Sequence, residues 1–271
     1  MNDAPVDLDF RFDERVAVQY DALRGHPPEV SRKIGATIAG LAGSGSRVLE
    51  VGVGTGRIAL PTAFAGCHVV GVDLSAQMLA ALAGQEAPNL SLVRGDVTHL
   101  PFRAGAFDAA VCVHVLHLVD SRPVLADLLE LVRRGGTVLL GRDWIDPASF
   151  AGMLRNEFRQ AVVDLAESVD FPTGARGHMQ QITELGAEAL YDGEEQIAVE
   201  WQTVLSPRQV LDGIRSRDDA ESWVLPDALL GRVMERLDGF AANHWPDLDQ
   251  TYSVTRRFLY ALFRVPLNLT R

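Results

Sequence analysis

The sequence predicts a doubly wound α/β fold, in which parallel strands form a sheet with helices on both faces. Short apolar runs alternate with helix-compatible segments between positions 47 and 141. Such alternation is typical of parallel strands joined by right-handed crossovers. The first apolar run leads directly into a turn with glycine at positions 52, 54 and 56, and a helix-compatible segment follows. The predicted strands are residues 48–51, 68–73, 90–93, 109–113 and 137–141.

The composition indicates a chain that folds as one large domain. Its 271 residues are 47% hydrophobic, which is enough to bury a sizeable core. The net charge of −11 disfavours nucleic acid as a partner, because that affinity depends largely on cationic contacts. No apolar run approaches the roughly 20 residues of a membrane span, and residues 1–10 lack a signal-peptide pattern. Cys67 and Cys112 lie in apolar contexts and predict no metal site. We therefore expect a cytoplasmic protein.

The glycine-rich turn predicts a site where the backbone lies directly against a ligand. Glycine permits positive φ and carries no Cβ to block an approaching group. The helix start that follows supplies N–H groups without helical partners and a positive dipole end. Asp73 ends the second apolar run, 21 positions after Gly52. A carboxylate at that distance is typical of a partner for ribose hydroxyls, so an adenosine-type ligand is indicated.

Two classes of adenosine ligand compete for this site. Residues 54–59 fit the pattern G-x-G-x-x-A, which is compatible with a dinucleotide such as NAD. Glu50 stands at the end of the first predicted strand, where its carboxylate would repel a pyrophosphate. The same carboxylate would attract a ligand that carries an ammonium or a sulfonium. Glu50 therefore favours S-adenosylmethionine over NAD.

Over positions 47 to 141 the chain resembles the class I S-adenosylmethionine-dependent methyltransferases. It is most similar to the small-molecule group that includes the ubiquinone and menaquinone biosynthesis enzymes, known as methyltransferase type 11. The resemblance implies a Rossmann-like seven-stranded sheet with an antiparallel last strand and a helical cap insertion. It also implies methyl transfer to a small molecule by in-line displacement, with S-adenosylhomocysteine released. The motifs that match in order and spacing are VLEVGVGTG at 48–56, VGVDLS at 70–75, RGDV at 94–97, and FD at 107–108 leading into VCVHVLHL at 111–118.

The resemblance implies one methyltransferase domain over residues 1–271. Its parts would be an N-terminal helical lid at 13–46, the cofactor-binding core at 47–142, a variable substrate cap at 143–195, and a C-terminal part at 196–271 that completes the sheet. The patterns after position 142 agree with a change of structure. The predicted elements there are helices at 150–165, 175–185, 206 onward and 225–242, and strands at 197–204 and 252–265.

The resemblance also assigns cofactor contacts residue by residue. The glycines of the turn would pack against the methionine and ribose parts, and Glu50 would lie near the methionine ammonium. Asp73 would hold the ribose hydroxyls, and Asp96 would accept from the adenine amino group. A Tyr-Asp stretch near position 20 would close over the cofactor. The implied set is Tyr20, Arg24, Glu50, Gly52, Gly54, Thr55, Gly56, Arg57, Asp73, Leu74, Met78, Gly95, Asp96, Val97, Val113 and His114.

Two histidines after the fourth predicted strand are candidates for a catalytic role. His114 or His117 could accept a proton from a hydroxyl, phenol or amine, because histidine titrates near neutral pH. Alternatively, either ring could simply pack at the strand end. Methyl transfer to a good nucleophile needs little beyond in-line positioning and desolvation, so a positioning role is favoured. The resemblance favours His117 of the two. His26, His178 and His244 receive no role.

Several further assignments have competing interpretations. Trp144, Phe150 and Leu154 are predicted to line the substrate pocket. The alternative for Trp144 is packing at the base of the cap helix, and an apolar stripe at helical spacing, such as the one with Phe150 and Leu154, is more often plain core. Arg57 could pair with the cofactor carboxylate or lie exposed at a helix start. For the whole protein, the alternatives are an NAD-dependent oxidoreductase and a non-catalytic module that binds the cofactor.

Overall fold

The computed structural model describes residues 25–85, 87, 89–166, 195–218, 220–223 and 225–267, without the side chains at 117, 220 and 223. The chain forms two compact units. The larger unit contains the described residues of 11–143, 189–200 and 257–271, and the smaller unit contains those of 144–188 and 201–256. The division of one domain into lid, core, cap and C-terminal part stays a prediction, and the predicted helix at 175–185 lies outside the described residues.

Seven strands form one sheet in the order β3-β2-β1-β4-β5-β7-β6. Strands β1 to β5 pair in parallel, as β3 with β2, β2 with β1, β1 with β4 and β4 with β5, and the sequence predicts parallel pairing. The strands are β1 (Arg47–Val51), β2 (His68–Asp73), β3 (Leu90–Arg94), β4 (Phe107–Val113), β5 (Val132–Ile145), β6 (Gln196–Leu205) and β7 (Tyr252–Arg264).

The last strands run antiparallel to their neighbours. Between β6 and β7, Tyr260 donates to Gln196 at 2.8 Å and Arg257 donates to Glu200 at 2.6 Å. Residue numbers therefore increase along one strand in the direction in which they decrease along the other. The prediction of a Rossmann-like seven-stranded sheet with an antiparallel last strand is therefore confirmed.

Four α-helices lie in the described part of the larger unit. Pro28 occupies the first turn of the first helix, where its missing N–H removes no helical hydrogen bond, so the helix begins two residues before the predicted start at 30. Ser75 begins the third helix, since its hydroxyl accepts from the Met78 N–H at 3.2 Å. The helices are α1 (Pro28–Ala42), α2 (Ala59–Phe64), α3 (Ala76–Ala83) and α4 (Ser121–Leu131).

The core of the larger unit lies against the central strands. In β1 four consecutive residues are buried, which is typical of a parallel strand covered on both faces. Alternate residues of the strands pack on one face against the apolar stripe of α4. This cluster includes Leu49, Val51, Val70, Val72, Ala110, Cys112, Val124, Leu128, Val138 and Leu140.

The smaller unit contains helices and strand segments over its described residues. Its helices are α5 (Phe150–Ala166), α6 (Pro207–Arg215), α7 (Ala220–Trp223) and α8 (Asp227–His244). The predicted start of α6 is confirmed, because Ser206 and Gln209 form a reciprocal capping box. None of the helices in the described part of the chain is long and apolar enough to cross a membrane.

Candidate cofactor site

The candidate site lies at the carboxyl edge of the parallel strands. From β1 the sheet extends through β2 and β3 in one direction and through β4 and β5 in the other. The strand order therefore reverses between β1 and β4. Open α/β sheets bind their ligands in the crevice at such a switch point. Val51 pairs with Val72 and with Cys112, so the residues that follow β1, β2 and β4 emerge at the same edge.

The glycine turn after β1 has three residues with positive φ, of 65° at Gly52, 54° at Gly54 and 88° at Gly56. A Cβ on Gly52 would lie 2.0 Å from the Val115 side chain, and one on Gly56 would lie 2.4 Å from the Leu82 side chain. A Cβ on Gly54 would meet nothing within 4 Å. Packing therefore requires glycine at the two outer positions, whereas the middle glycine leaves open space for a ligand.

Asp73 joins this turn to the end of β2. One carboxylate oxygen accepts from the Gly54 N–H at 2.8 Å, and the other accepts from the Ser75 N–H at 2.8 Å. Burial raises the pKa of Asp73, and the hydrogen bonds from Ser75 and Gly54 oppose that rise. Each carboxylate oxygen retains the capacity for a second hydrogen bond, so the same group can still bind a diol.

Glu50 is a buried carboxyl group, 4% exposed, beside the glycine turn. Burial raises the pKa of Glu50 well above its ordinary value, the Arg57 guanidinium opposes the rise, and Asp73 adds to it. A buried carboxylate is stable only beside a compensating cation. A ligand that brings an ammonium or a sulfonium to this edge would favour the ionised form.

We expect Glu50→Gln to be more stable than the wild type by a margin that increases with pH. The raised pKa means that the folded protein holds this proton more tightly than the unfolded chain, so wild-type stability falls as pH rises above about 4.3. The difference should increase by at most about 1.4 kcal/mol per pH unit and level off above the folded pKa. Urea unfolding of both proteins from pH 4 to pH 8 measures this difference in the free energy of unfolding. Glu130→Gln, on the exposed face of α4, is the control and should show no such increase.

Four polar side chains meet beside the turn and form what we call the Asp143 cluster: His26, Arg57, His114 and Asp143. One Asp143 oxygen lies 2.7 Å from His26 Nε2, and the other lies 2.8 Å from Arg57 Nη1 and 3.1 Å from His114 Nε2. Partial burial opposes ionisation of Asp143, but Arg57 and the hydrogen bonds from the two histidines hold its pKa well below the usual range. Asp143 is therefore a carboxylate at neutral pH.

The Asp143 cluster corrects two interpretations made from the sequence. Arg57 is not an exposed arginine at a helix start, because its side chain is only 12% exposed and pairs with Asp143. His26, which received no role in the sequence analysis, is 3% exposed and makes the shortest contact to Asp143. Asp143 itself was not singled out. It belongs to none of the matched motifs, and its sequence signal is a carboxylate two positions after the predicted strand at 137–141.

His114 has a backbone conformation that is unusual for its residue type. Its φ of 57° is in the left-handed region, directly after β4. Residues other than glycine rarely adopt that region, and such strain persists where surrounding contacts impose it, often at functional sites. The contact of His114 with Asp143 is one such constraint.

The remaining predicted cofactor residues lie around the same strand ends. The Gly95 N–H donates to the Asp73 carbonyl at 3.0 Å. The Asp96 carboxylate accepts from the Thr98 N–H and hydroxyl, which lower its pKa. Leu74 is 66% exposed. Thr55, Met78 and Val113 are buried, and Val97 is partly buried against the core of the larger unit.

Other predicted residues lie elsewhere or outside the description. Tyr20 and Arg24 fall outside the described residues, and His117 lies in a short 3-10 helix (Leu116–Leu118) without a described side chain. Trp144, Phe150 and Leu154 belong to the smaller unit. There Leu154 is fully buried and the Phe150 ring contacts Trp245 and Tyr252. The structure therefore places Phe150 and Leu154 in a core, which is the alternative that their spacing left open.

The fold and the strand-edge site together define a Rossmann-like domain with the arrangement of a nucleoside-cofactor enzyme. Residues 49–140 match the family model of a methyltransferase domain. This part of the chain is thus similar to a methyltransferase domain, the class that the sequence predicts.

Individual relatives also match a part of this chain. The chain is 33% identical over 97 residues to a demethylmenaquinone methyltransferase from Paenarthrobacter aurescens, covering 35% of this chain and 38% of that protein. It is 36% identical over 97 residues to one from Renibacterium salmoninarum, covering 35% and 40%. The chain thus spans about two fifths of the length of these curated relatives. The crystal structure of the YcgJ protein from Bacillus subtilis shares the fold, with a TM-score of 0.51, 15% identity, and coverage of 86% of this chain and 98% of that one.

Proposed function

We propose that this protein transfers a methyl group from S-adenosylmethionine to a small-molecule acceptor. The observation that supports this most strongly is the joint position of Asp73 and Gly54. The carboxylate that would bind the ribose diol is hydrogen-bonded at 2.8 Å to the one glycine of the turn that faces open space. The match of residues 49–140 to a methyltransferase domain supports the same function.

The residues present fit this cofactor. Gly54 leaves the space that a nucleoside needs, and Asp73 offers two acceptor oxygens at the end of β2. Glu50 would face the methionine ammonium, and the Arg57 guanidinium would face the methionine carboxylate. Asp96 would accept from the adenine amino group. The other proposed contacts are Gly52, Thr55, Gly56, Leu74, Met78, Gly95, Val97, Val113 and His114.

When bound, the cofactor supplies an electrophilic methyl group for in-line displacement, with S-adenosylhomocysteine as product. The glycine turn and Asp73 would hold the nucleoside in one position, and much of the catalysis would come from that positioning. His114, directly after β4, would accept a proton from a hydroxyl, phenol or amine acceptor. His117 stays a second candidate for that role, and Trp144 stays a candidate for the acceptor pocket.

The match to a methyltransferase domain gives no support to an NAD-dependent oxidoreductase or to a module without catalysis. The similarity to enzymes named demethylmenaquinone methyltransferases supports a small organic acceptor. From the composition alone, we propose that the protein has no nucleic-acid or membrane partner. On the same ground, we propose a cytoplasmic location.

Calorimetric titration of the wild-type protein tests the proposal. We expect S-adenosylmethionine and S-adenosylhomocysteine to bind and NADH not to bind. A methyl-transfer assay with a panel of phenols, quinols and amines, followed by detection of S-adenosylhomocysteine, then tests catalysis. Binding of NADH alone, or of none of the three ligands, would overturn the proposal. Cofactor binding without transfer to any acceptor would favour the non-catalytic alternative.

Gly54→Ala should weaken S-adenosylhomocysteine binding by about tenfold, or ~1.4 kcal/mol. The added methyl group would occupy the open space above the turn, and alanine at a φ of 54° is strained. Gly45→Ala is the matched control, because Gly45 also has positive φ, of 72°, and also meets nothing within 4 Å. Both variants should lose similar stability, but only Gly54→Ala should lose affinity. If calorimetry shows that Gly54→Ala and the wild type bind S-adenosylhomocysteine equally tightly, Gly54 does not belong to the site.

A further inference from the structure

We propose that Asp143 is a positioning residue that selects the protonated nitrogen of His114, so that the lone pair of the neutral ring lies on Nδ1. This inference rests on the proposed function and adds a residue and an atom to it. All of the contacts that carry it lie within the larger unit.

The first step concerns the charge of Asp143. Its two oxygens receive contacts from three nitrogen atoms, at 2.7 Å from His26, 2.8 Å from Arg57 and 3.1 Å from His114. An ionised carboxylate can only accept hydrogen bonds, and its two oxygens have room for three donors. The permanently charged guanidinium beside it favours the ionised form. Any imidazole nitrogen that faces this group must therefore carry a hydrogen.

The second step concerns the tautomer of each histidine. Both rings face Asp143 with Nε2, so both should be Nε2–H when neutral. Arg57 Nη1 also lies 3.3 Å from His26 Nε2, but the 2.7 Å contact with the carboxylate is shorter and decides the position of the hydrogen. In a neutral ring with Nε2–H, the lone pair belongs to Nδ1.

The third step concerns the position of His114. The residue directly follows β4 at the edge where Glu50 and Asp73 also lie, and its φ of 57° shows that the backbone there is held against its preference. A carboxylate that orients a histidine also stabilises the imidazolium that forms when the ring accepts a proton. Two other side chains contact Asp143 beside this ring: Arg57, from the segment after the glycine turn, and His26, before α1. Asp143 is the one that contacts all three basic side chains.

The test is two-bond proton–nitrogen NMR of the histidine rings in the full-length protein at about pH 8.5, where an ordinary histidine is neutral. The His114 signals are assigned with His114→Asn, because asparagine tolerates positive φ. We expect the wild-type His114 ring to be entirely Nε2–H. In Asp143→Asn the amide can present either a donor or an acceptor, so the Nδ1–H form should appear.

Asp108→Asn is the matched control. Asp108 lies in the same unit and accepts from the Arg47 N–H and from Arg133, so the variant removes one negative charge without touching a histidine. It should leave the His114 ring as Nε2–H. Asp143→Glu retains the carboxylate and should also retain Nε2–H.

Two results would overturn the inference: an Nδ1–H ring at His114 in the wild type, or an unchanged ring in Asp143→Asn. If Asp143→Asn does not fold, the wild-type spectrum tests the tautomer of His114, and Asp143→Ala, which leaves no carboxylate or amide to face the ring, tests the role of Asp143. Binding of S-adenosylhomocysteine is measured in the same samples. A wrong tautomer with normal binding would remove only the role of Asp143, whereas absent binding in the wild type would overturn the proposed function.

Discussion

Asp73→Ala should lower the affinity for S-adenosylhomocysteine by about 10- to 150-fold. Hydrogen bonds to a charged group contribute about 1.5–3 kcal/mol, and each 1.4 kcal/mol is a factor of ten. The substitution removes the proposed acceptor of the ribose hydroxyls. It also removes the hydrogen bonds that hold Gly54 and Ser75, so the turn that would contact the cofactor loses one of its attachments to β2. Calorimetric titration of both proteins measures the change.

The control for this variant is Asp120→Ala. Asp120 is also a carboxylate that accepts a backbone N–H at a helix start, from Arg122 at 3.4 Å, in the same unit. It should lose stability without losing affinity. If Asp73→Ala binds as tightly as the wild type, then Asp73 has only a structural role at the end of β2, and the proposed map of the site is wrong.

Gly52→Ala should lower the free energy of unfolding by about 2–5 kcal/mol. Overpacking of a core by added methyl groups costs about 1–3 kcal/mol, and a left-handed conformation costs another 1–2 kcal/mol or so for a residue with a Cβ. Both costs apply here, because φ is 65° and the new Cβ would lie 2.0 Å from Val115. Urea unfolding measures the loss.

Two further variants separate these costs. Gly45→Ala carries the conformational cost alone, since its Cβ would meet nothing within 4 Å, and it should lose much less stability than Gly52→Ala. Combining Gly52→Ala with Val115→Ala should recover part of the loss, so a double-mutant cycle should show a favourable coupling. If the two substitutions are additive, the clash with Val115 does not explain the instability.

The local parts of the fold and of the site follow from short stretches of sequence. The glycines at 52, 54 and 56, with an acid 21 positions later, predicted the turn and the end of β2. Strand positions were predicted to within a few residues for the short strands, because buried parallel strands read as nearly continuous apolar runs. β5 is longer than predicted, since arginine, glycine and aspartate at 133–136 and 142–143 interrupt the apolar pattern on both sides of the predicted strand.

Other features did not follow from local patterns. The stripe that begins with Phe150 and Leu154 has the same spacing whether it lines a pocket or packs a core, so periodicity alone could not separate the two. The structure shows that Phe150 and Leu154 pack in the buried core of the smaller unit. The Ser206 capping box, in contrast, was predictable because all of its partners lie within three residues.

The sequence by itself predicted the class of this protein, because glycine turns, strand-end acids and apolar runs are patterns of a few residues. Each of these patterns indicates the same local structure wherever it occurs in a chain. Only the tertiary structure decided which side chains meet in the Asp143 cluster. His26 and Asp143 are 117 positions apart and Arg57 and Asp143 are 86 apart. Their contact depends on the order of β1, β4 and β5 in the sheet, and no local spacing carries that information.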